Sequence, residues 1–211
     1  KETVQYAKNN DMYVIIDWHI LSDNNPNKHI NESKSFFDEM SREYADVPNV
    51  IYEICNEPNG NTTWNNDVKP YAESVISTIR NNSKDSLIIV GTPFWCQNLE
   101  DPTNNRLSND SNVLYACHFY SGTHKEDLRN KVINARNAGL PVIISECGLS
   151  AADGNGGIFK EEAKKWFDYL NQNNISWLVW SWCDKNETSA LLKPGTDANN
   201  ITEASLTEAG I

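Results

Sequence analysis

Basic residues are scarce in this chain: 18 Lys and Arg stand against 29 Asp and Glu, a formal net charge of −11. That deficit argues against nucleic acid and anionic membrane surfaces as partners, since both select for a positive face. No stretch approaches the roughly 20 consecutive apolar residues of a membrane span. The five cysteines (Cys55, Cys96, Cys117, Cys147 and Cys183) include no C-x-x-C pair. Buried free thiols are therefore expected rather than a disulfide framework or a zinc site. Histidine is also sparse, with 4 residues and no His-Glu-x-x-His spacing, so no metal is expected. No Gly-rich phosphate turn follows any apolar run, which removes the usual nucleotide signature.

What is present is 39% hydrophobic and 10% aromatic content in 211 residues, enough for one core. The expectation is a single domain over residues 1–211. Six short apolar runs recur: 12–18, 50–55, 87–90, 113–118, 142–145 and 175–182. Each is rich in Ile and Val with little alternation, as in parallel strands buried on both faces.

Helical stripes lie between most of them. Phe36, Phe37, Met40 and Tyr44 form one, and Val68, Ala72, Val75, Ile76 and Ile79 a second. Leu128, Val132 and Ala135 form a third, stopped by Gly139 and Pro141, and Phe159, Ala163, Trp166, Phe167 and Leu170 a fourth. The segment 95–112 has no convincing helical period and is expected to be a long loop or a short helix. Trp64, Trp166 and Trp177 are expected to be structural rather than sugar-binding, with Trp166 in a helical stripe and Trp177 in a strand, both in the core. Strand–helix alternation argues for a parallel α/β sheet.

Every apolar run ends in polar or aromatic residues: Asp17-Trp18-His19, Asn56-Glu57, Thr92-Pro93-Phe94-Trp95, His118-Phe119-Tyr120, Glu146 and Trp180-Ser181-Trp182. Six decorated strand ends meet at one place only if the sheet closes into a ring, so a barrel is favoured over an open sheet. Two of those ends carry glutamates, Glu57 and Glu146. A carboxylate just past a buried strand is held on rigid backbone yet faces a cleft. Two of them make the acid and the nucleophile needed to break a glycosidic bond.

The motifs Tyr-Val-Ile-Ile-Asp-Trp-His-Ile-Leu, Asn-Val-Ile-Tyr-Glu-Ile-Cys-Asn-Glu-Pro-Asn-Gly, His-Phe-Tyr-Ser-Gly-Thr-His and Trp-Ser-Trp-Cys-Asp-Lys-Asn-Glu-Thr-Ser-Ala occur in that order. Together they resemble glycoside hydrolase family 5, and within it the bacterial-type endo-β-1,4-glucanases, over nearly the whole chain. The resemblance implies a (β/α)8 TIM-barrel fold, of which about six β/α units (third to eighth strands) are present. It also implies a retaining mechanism without a cofactor. Glu57 matches the general acid/base and Glu146 the nucleophile. Asn56 matches the residue that binds the sugar 2-hydroxyl, and Tyr120 the phenol donating to the nucleophile. His118 lies near the acid/base, and His19 matches a histidine on the substrate side of its strand. Trp180 matches a stacking platform and Trp95 fits a second one on the leaving-group side. Lys185 and Glu187 match residues that bond glycon hydroxyls.

The implied substrate is cellulose or soluble β-glucan. The alternatives are a mannan or mixed-linkage glucan, or a barrel that binds carbohydrate without cleaving it. A polymeric substrate implies a secreted, extracellular protein. Two departures accompany the match. Cys147 stands where family members commonly carry an aromatic. The family's first two strands have no counterpart, and none of Arg42, Arg80, Arg106, Arg129 and Arg136 matches the arginine that ends the second strand. The chain is therefore expected to be part of a longer enzyme, or else to self-associate through exposed barrel edges.

Overall fold

The computed structural model describes residues 1–109 and 111–211. Six strands are hydrogen-bonded in chain order: β1 Val14–Asp17, β2 Val50–Glu53, β3 Ile88–Gly91, β4 Val113–Tyr120, β5 Val142–Gly148 and β6 Trp177–Val179. The β1–β2, β2–β3, β3–β4 and β5–β6 ladders are parallel. Each strand grows from one of the six apolar runs. β4 and β5 run further than those runs suggested, which places Tyr120 and Glu146 on the strands themselves.

The helices are α1 Glu2–Asn9, α2 Ile30–Glu43, α3 Lys69–Asn82, α4 Pro93–Cys96, α5 Glu100–Asn104, α6 Glu126–Asn137 and α7 Lys160–Gln172. The four predicted stripes account for α2, α3, α6 and α7. Among its described residues the polar 95–112 segment holds the end of α4, a turn in which Phe94 and Trp95 are left-handed, and the short α5, in keeping with its lack of period.

The contacts fall into two compact units, one of residues 1–116 with 135–142, the other of residues 117–134 with 143–211. In the first, α3 buries Tyr71, Ala72, Val75, Ile76 and Ile79, spaced three and four apart on one face. Its entry is a π turn, Trp64–Val68, after which Pro70 occupies the first helical turn. The Trp64 indole, fully buried, donates to the Asn105 carbonyl at 2.7 Å. The Tyr71 hydroxyl donates to the Ile54 carbonyl at 2.7 Å and meets Ser33 Oγ of α2 at 2.6 Å, which ties two helices to β2. Burial raises the Tyr71 phenol, and it raises that of Tyr52 to about 12. Both rings therefore act as neutral core groups. Ile88, Ile89 and Val90 of β3 are wholly buried, each such side chain contributing about 1.5–3 kcal/mol.

In the second unit Phe119 and Trp166 stack with centroids 4.1 Å apart and planes 8° from parallel. The Arg129 guanidinium lies 5.3 Å from the Trp166 ring and pairs with Glu162. Burial alone would raise the Glu162 carboxyl, but the hydrogen bond and charge of Arg129 outweigh it and bring the group below its ordinary value.

Three expectations need correction. β1 is half-buried at all four positions rather than covered on both faces. β6 is likewise open, and Trp177, expected in the core, is 38% exposed. The physical reason is position: among the described residues β1 pairs only with β2, and β6 only with β5. Trp177 still leans on Phe167, 4.6 Å between centroids, and donates to Asn171 Oδ1 at 3.0 Å.

Four of the five cysteines are buried as expected, whereas Cys183 is only half-buried. None is disulfide-bonded, and Cys55, Cys96, Cys117 and Cys147 are buried. Burial raises the Cys55 and Cys147 thiols, so both stay protonated. The Cys147 Sγ donates to the Leu178 carbonyl at 3.2 Å.

Candidate active site

In the first unit the strand ends bring His19, Asn56 and Glu57 together. The Asn56 amide N–H donates to the Trp18 carbonyl at 3.2 Å, and that of Glu57 to the Ile20 carbonyl at 3.3 Å. The segment after β2 therefore runs alongside the one after β1. Asp17 Oδ2 lies 2.7 Å from His19 Nδ1, and His19 Nε2 lies 3.3 Å from Asn56 Nδ2. A carboxylate on Nδ1 fixes the proton there, which leaves Nε2 as acceptor for the Asn56 amide. Asn56 Nδ2 also donates to the Ile20 carbonyl at 3.3 Å. Its two N–H groups are thus turned toward protein partners, and Oδ1 is left as an acceptor for a ligand hydroxyl.

Asn59 braces the same turn: its Nδ2 donates to the carbonyls of Leu21 and Glu57, both at 2.8 Å. Glu57 is half-buried and Asn56 only 3% exposed. Trp95 is 38% exposed, and its ring meets Phe94 edge-on at 5.2 Å.

In the second unit the focus is Glu146 on β5. The Tyr120 hydroxyl donates to Glu146 Oε1 at 2.7 Å, and His118 Nδ1 lies 4.0 Å from Oε2. His118, 2% exposed, meets Ser145 Oγ through Nε2 at 2.9 Å. The backbone N–H of Tyr120 donates to His124 Nδ1 at 2.9 Å. Gly148 makes room for the phenol: a Cβ there would come within 2.5 Å of the Tyr120 ring. Only glycine lets that ring lie across β5 and reach Glu146.

Trp180 is half-buried, and its N–H donates to the Cys147 carbonyl at 2.7 Å. Lys185 is exposed. Glu187 is half-buried, with its Oε1 accepting from Ser189 Oγ at 2.9 Å.

The first unit thus holds His19, Asn56, Glu57 and Trp95 of the predicted residues. The second holds His118, Tyr120, Glu146, Trp180, Lys185 and Glu187. Sequence reading missed the supporting partners Asp17, Asn59, His124 and Ser145. Asp17 and Ser145 were legible as polar residues closing apolar runs beside chosen ones. His124 acts within its own turn, and Asn59 joins its own turn to distant Leu21; neither contact follows a helical or strand period.

The strands are parallel in an α/β sheet and end in carboxylates, histidines and aromatics, the placement in which barrel enzymes carry their sites. Residues 1–186 match the family model "Cellulase (glycosyl hydrolase family 5)", and the chain belongs to that family. It is 50% identical to an endoglucanase of Clostridium saccharobutylicum, over all of this chain and 47% of that protein. It is 49% identical to endoglucanase N of Pectobacterium atrosepticum, again over all of this chain and 47% of the relative. The chain therefore spans about half the length of these curated relatives.

Among solved structures, the catalytic domain of Thermobifida fusca endoglucanase Cel5A matches with a TM-score of 0.94 at 33% identity. The match covers 99% of this chain and 70% of that one. Cellulase Cel5C_n matches with a TM-score of 0.94 at 42% identity, over 99% of this chain and 65% of that one. The fold class is thereby that of the family's α/β barrel, represented by six β/α units.

Proposed function

We propose that this chain carries the catalytic core of an endo-acting, retaining glycoside hydrolase that cleaves internal β-1,4-glucosidic bonds in cellulose or soluble β-glucan. The observation that carries the reading is the Tyr120 phenol held 2.7 Å from Glu146 at the end of β5, in a chain of this family. A phenol donating to one carboxylate oxygen favours the ionised form and turns the other oxygen toward the anomeric carbon. Relatives named as endoglucanases support the activity, and the Thermobifida fusca enzyme solved in complex with cellotetraose supports the substrate class.

In the proposed sequence Glu146 attacks the anomeric carbon while Glu57 gives its proton to the departing oxygen. Water, deprotonated by Glu57, then releases the sugar from Glu146. Asn56, oriented by His19 and Asp17, accepts the 2-hydroxyl hydrogen bond, which tightens as positive charge develops on the ring. Trp180 stacks a glycon-side glucose and Trp95 a leaving-group-side one; flat C–H faces suit aromatic rings. Lys185 and Glu187 bond glycon hydroxyls, and His118 holds Glu146 from its second side. No cofactor takes part in these steps.

The same reading makes the protein extracellular, since a polymer substrate does not enter cells. It also makes the open edges of β1 and β6 sites where a second strand, from this or another chain, would pair.

The test uses the full-length protein on carboxymethylcellulose and on an aryl cellobioside with a good leaving group. Glu146→Gln should abolish turnover of both. Glu57→Gln should lose the polymer by about 10²–10⁴-fold while sparing glycosylation by the activated substrate. Retention of polymer cleavage by either variant would remove that residue from the proposed role.

A further inference from the structure

The segment after β3 is built around three consecutive residues in the left-handed region: Phe94 at φ 59°, Trp95 at 52° and Cys96 at 59°. Each costs conformational energy for a residue with a Cβ, so the surroundings must hold them there. Two of the three grip the turn that carries Glu57. The Trp95 backbone N–H donates to the Pro58 carbonyl at 3.0 Å, and the Cys96 thiol donates to the Asn56 carbonyl at 3.0 Å. Those two carbonyls belong to the residues flanking Glu57 on either side.

The approach is close by design of the strand end. A Cβ at Gly91 would sit 2.1 Å from the Cys55 carbonyl oxygen and 2.6 Å from that of Asn56. Cys96 itself is 0% exposed, so its thiol meets the carbonyl away from water. On its other side the same turn is held by the segment after β1, through Asn56, Glu57 and Asn59.

We propose that Cys96 is a positioning residue for Glu57, a thiol clamp that couples the Trp95 turn to the turn bearing the acid. The inference rests on the acid role proposed for Glu57. A carbonyl gripped immediately before the glutamate fixes the backbone dihedrals that aim its carboxyl, and a small error in that aim is costly for proton transfer. Trp95 shares the clamped turn, so a sugar stacked on its ring bears on the same backbone that carries Glu57.

The experiment compares Cys96→Ala with Cys96→Ser in the full-length protein, since serine keeps a donor of similar reach and alanine deletes it. Cys96→Ala should lower kcat about 10- to 100-fold on cellobiosides with poor leaving groups, and little on an activated one. Cys96→Ser should restore most of the loss. Equal losses on both substrates would reduce Cys96 to a packing residue and overturn the proposal, as would full activity of the alanine variant on the poor leaving groups.

A second arm needs no turnover. Amide hydrogen exchange at Glu57 and Trp95 should quicken about five- to tenfold in Cys96→Ala, the equilibrium worth of one hydrogen bond, and not in Cys96→Ser. Unchanged exchange at both amides overturns the clamp. This arm decides the matter even if the wild-type protein hydrolyses neither substrate, a result that would remove the hydrolase reading instead.

Discussion

β3 and β6 read almost alike in sequence, Ile88-Ile89-Val90 against Trp177-Leu178-Val179. Their fates differ. The three β3 side chains are 0% exposed, while Trp177 and Leu178 stand 38% and 41% open. β3 has a hydrogen-bonded strand on both sides; among the described residues β6 has one, β5. Apolar composition therefore reports that a segment becomes a strand, but burial is set by how many neighbours the sheet supplies.

The largest expected effect tests that contrast directly. Ile89→Ala should cost about 2–5 kcal/mol in urea unfolding, the transfer of lost methyls plus a cavity in a region with no room to collapse. Leu178→Ala should cost less than about 1 kcal/mol, because much of its surface already meets water. Equal costs would break the comparison and mean that another surface covers β6 in solution.

An intermediate effect separates two ion pairs made by α7, one to Arg129 of α6 and one within the helix. Arg129 and Glu162 are each 12% exposed, whereas Lys164 and Asp168 are 70% and 52% exposed. Glu162→Gln should cost about 2 kcal/mol at neutral pH, the range of a charged hydrogen bond shielded from solvent. Asp168→Asn should cost roughly 0.3 kcal/mol.

The sign of the pH dependence follows from the lowered Glu162 carboxyl. Its contribution is complete above the unfolded value, about 4.3. It is then lost as pH falls through the lower folded value. The gap between wild type and Glu162→Gln, followed by thermal melts from pH 7 to pH 2.5, should close only below about pH 4.3. A gap that stays constant across the range would detach the pair from stability.

The contrast between β3 and β6 also explains what was legible in the sequence. All six strands were, because Ile- and Val-rich runs bounded by polar residues leave little choice of structure. The helices of clear period, α2, α3, α6 and α7, were legible for the same reason. Glu57, Asn56 and Glu146 stood out because each closes an apolar run. That β1 and β6 would lie at exposed edges was legible too, because the runs matching the family's third and eighth strands lack their neighbours; how far each side chain is covered was not, and Trp177 failed for that reason. The partners that orient the site were equally hidden. His124 reaches the Tyr120 backbone across a turn, and Cys96 reaches Asn56 across 40 positions of chain. The first is a local turn contact outside any helical or strand period, and the second comes from tertiary closure.

A near-neutral effect on stability carries the sharpest information about the open edge. Leu178→Lys replaces an exposed leucine on β6 by a residue whose long stem can still lie on the apolar surface while its ammonium stays in water. Stability should therefore change by no more than about 0.5 kcal/mol. Association is a different matter. An edge strand with free backbone groups and apolar side chains is a template for another strand, and a lysine there opposes pairing by forcing a charge into the new ladder. If β6 pairs between chains, light scattering of the wild type should show a concentration-dependent rise in mass, and Leu178→Lys should reduce it with the melting temperature unchanged. A wild type that stays monomeric at every concentration would withdraw the proposed self-association. A wild type that associates as strongly with lysine at 178 would move the contact away from β6 and leave the outer edge of β1 as the place to test.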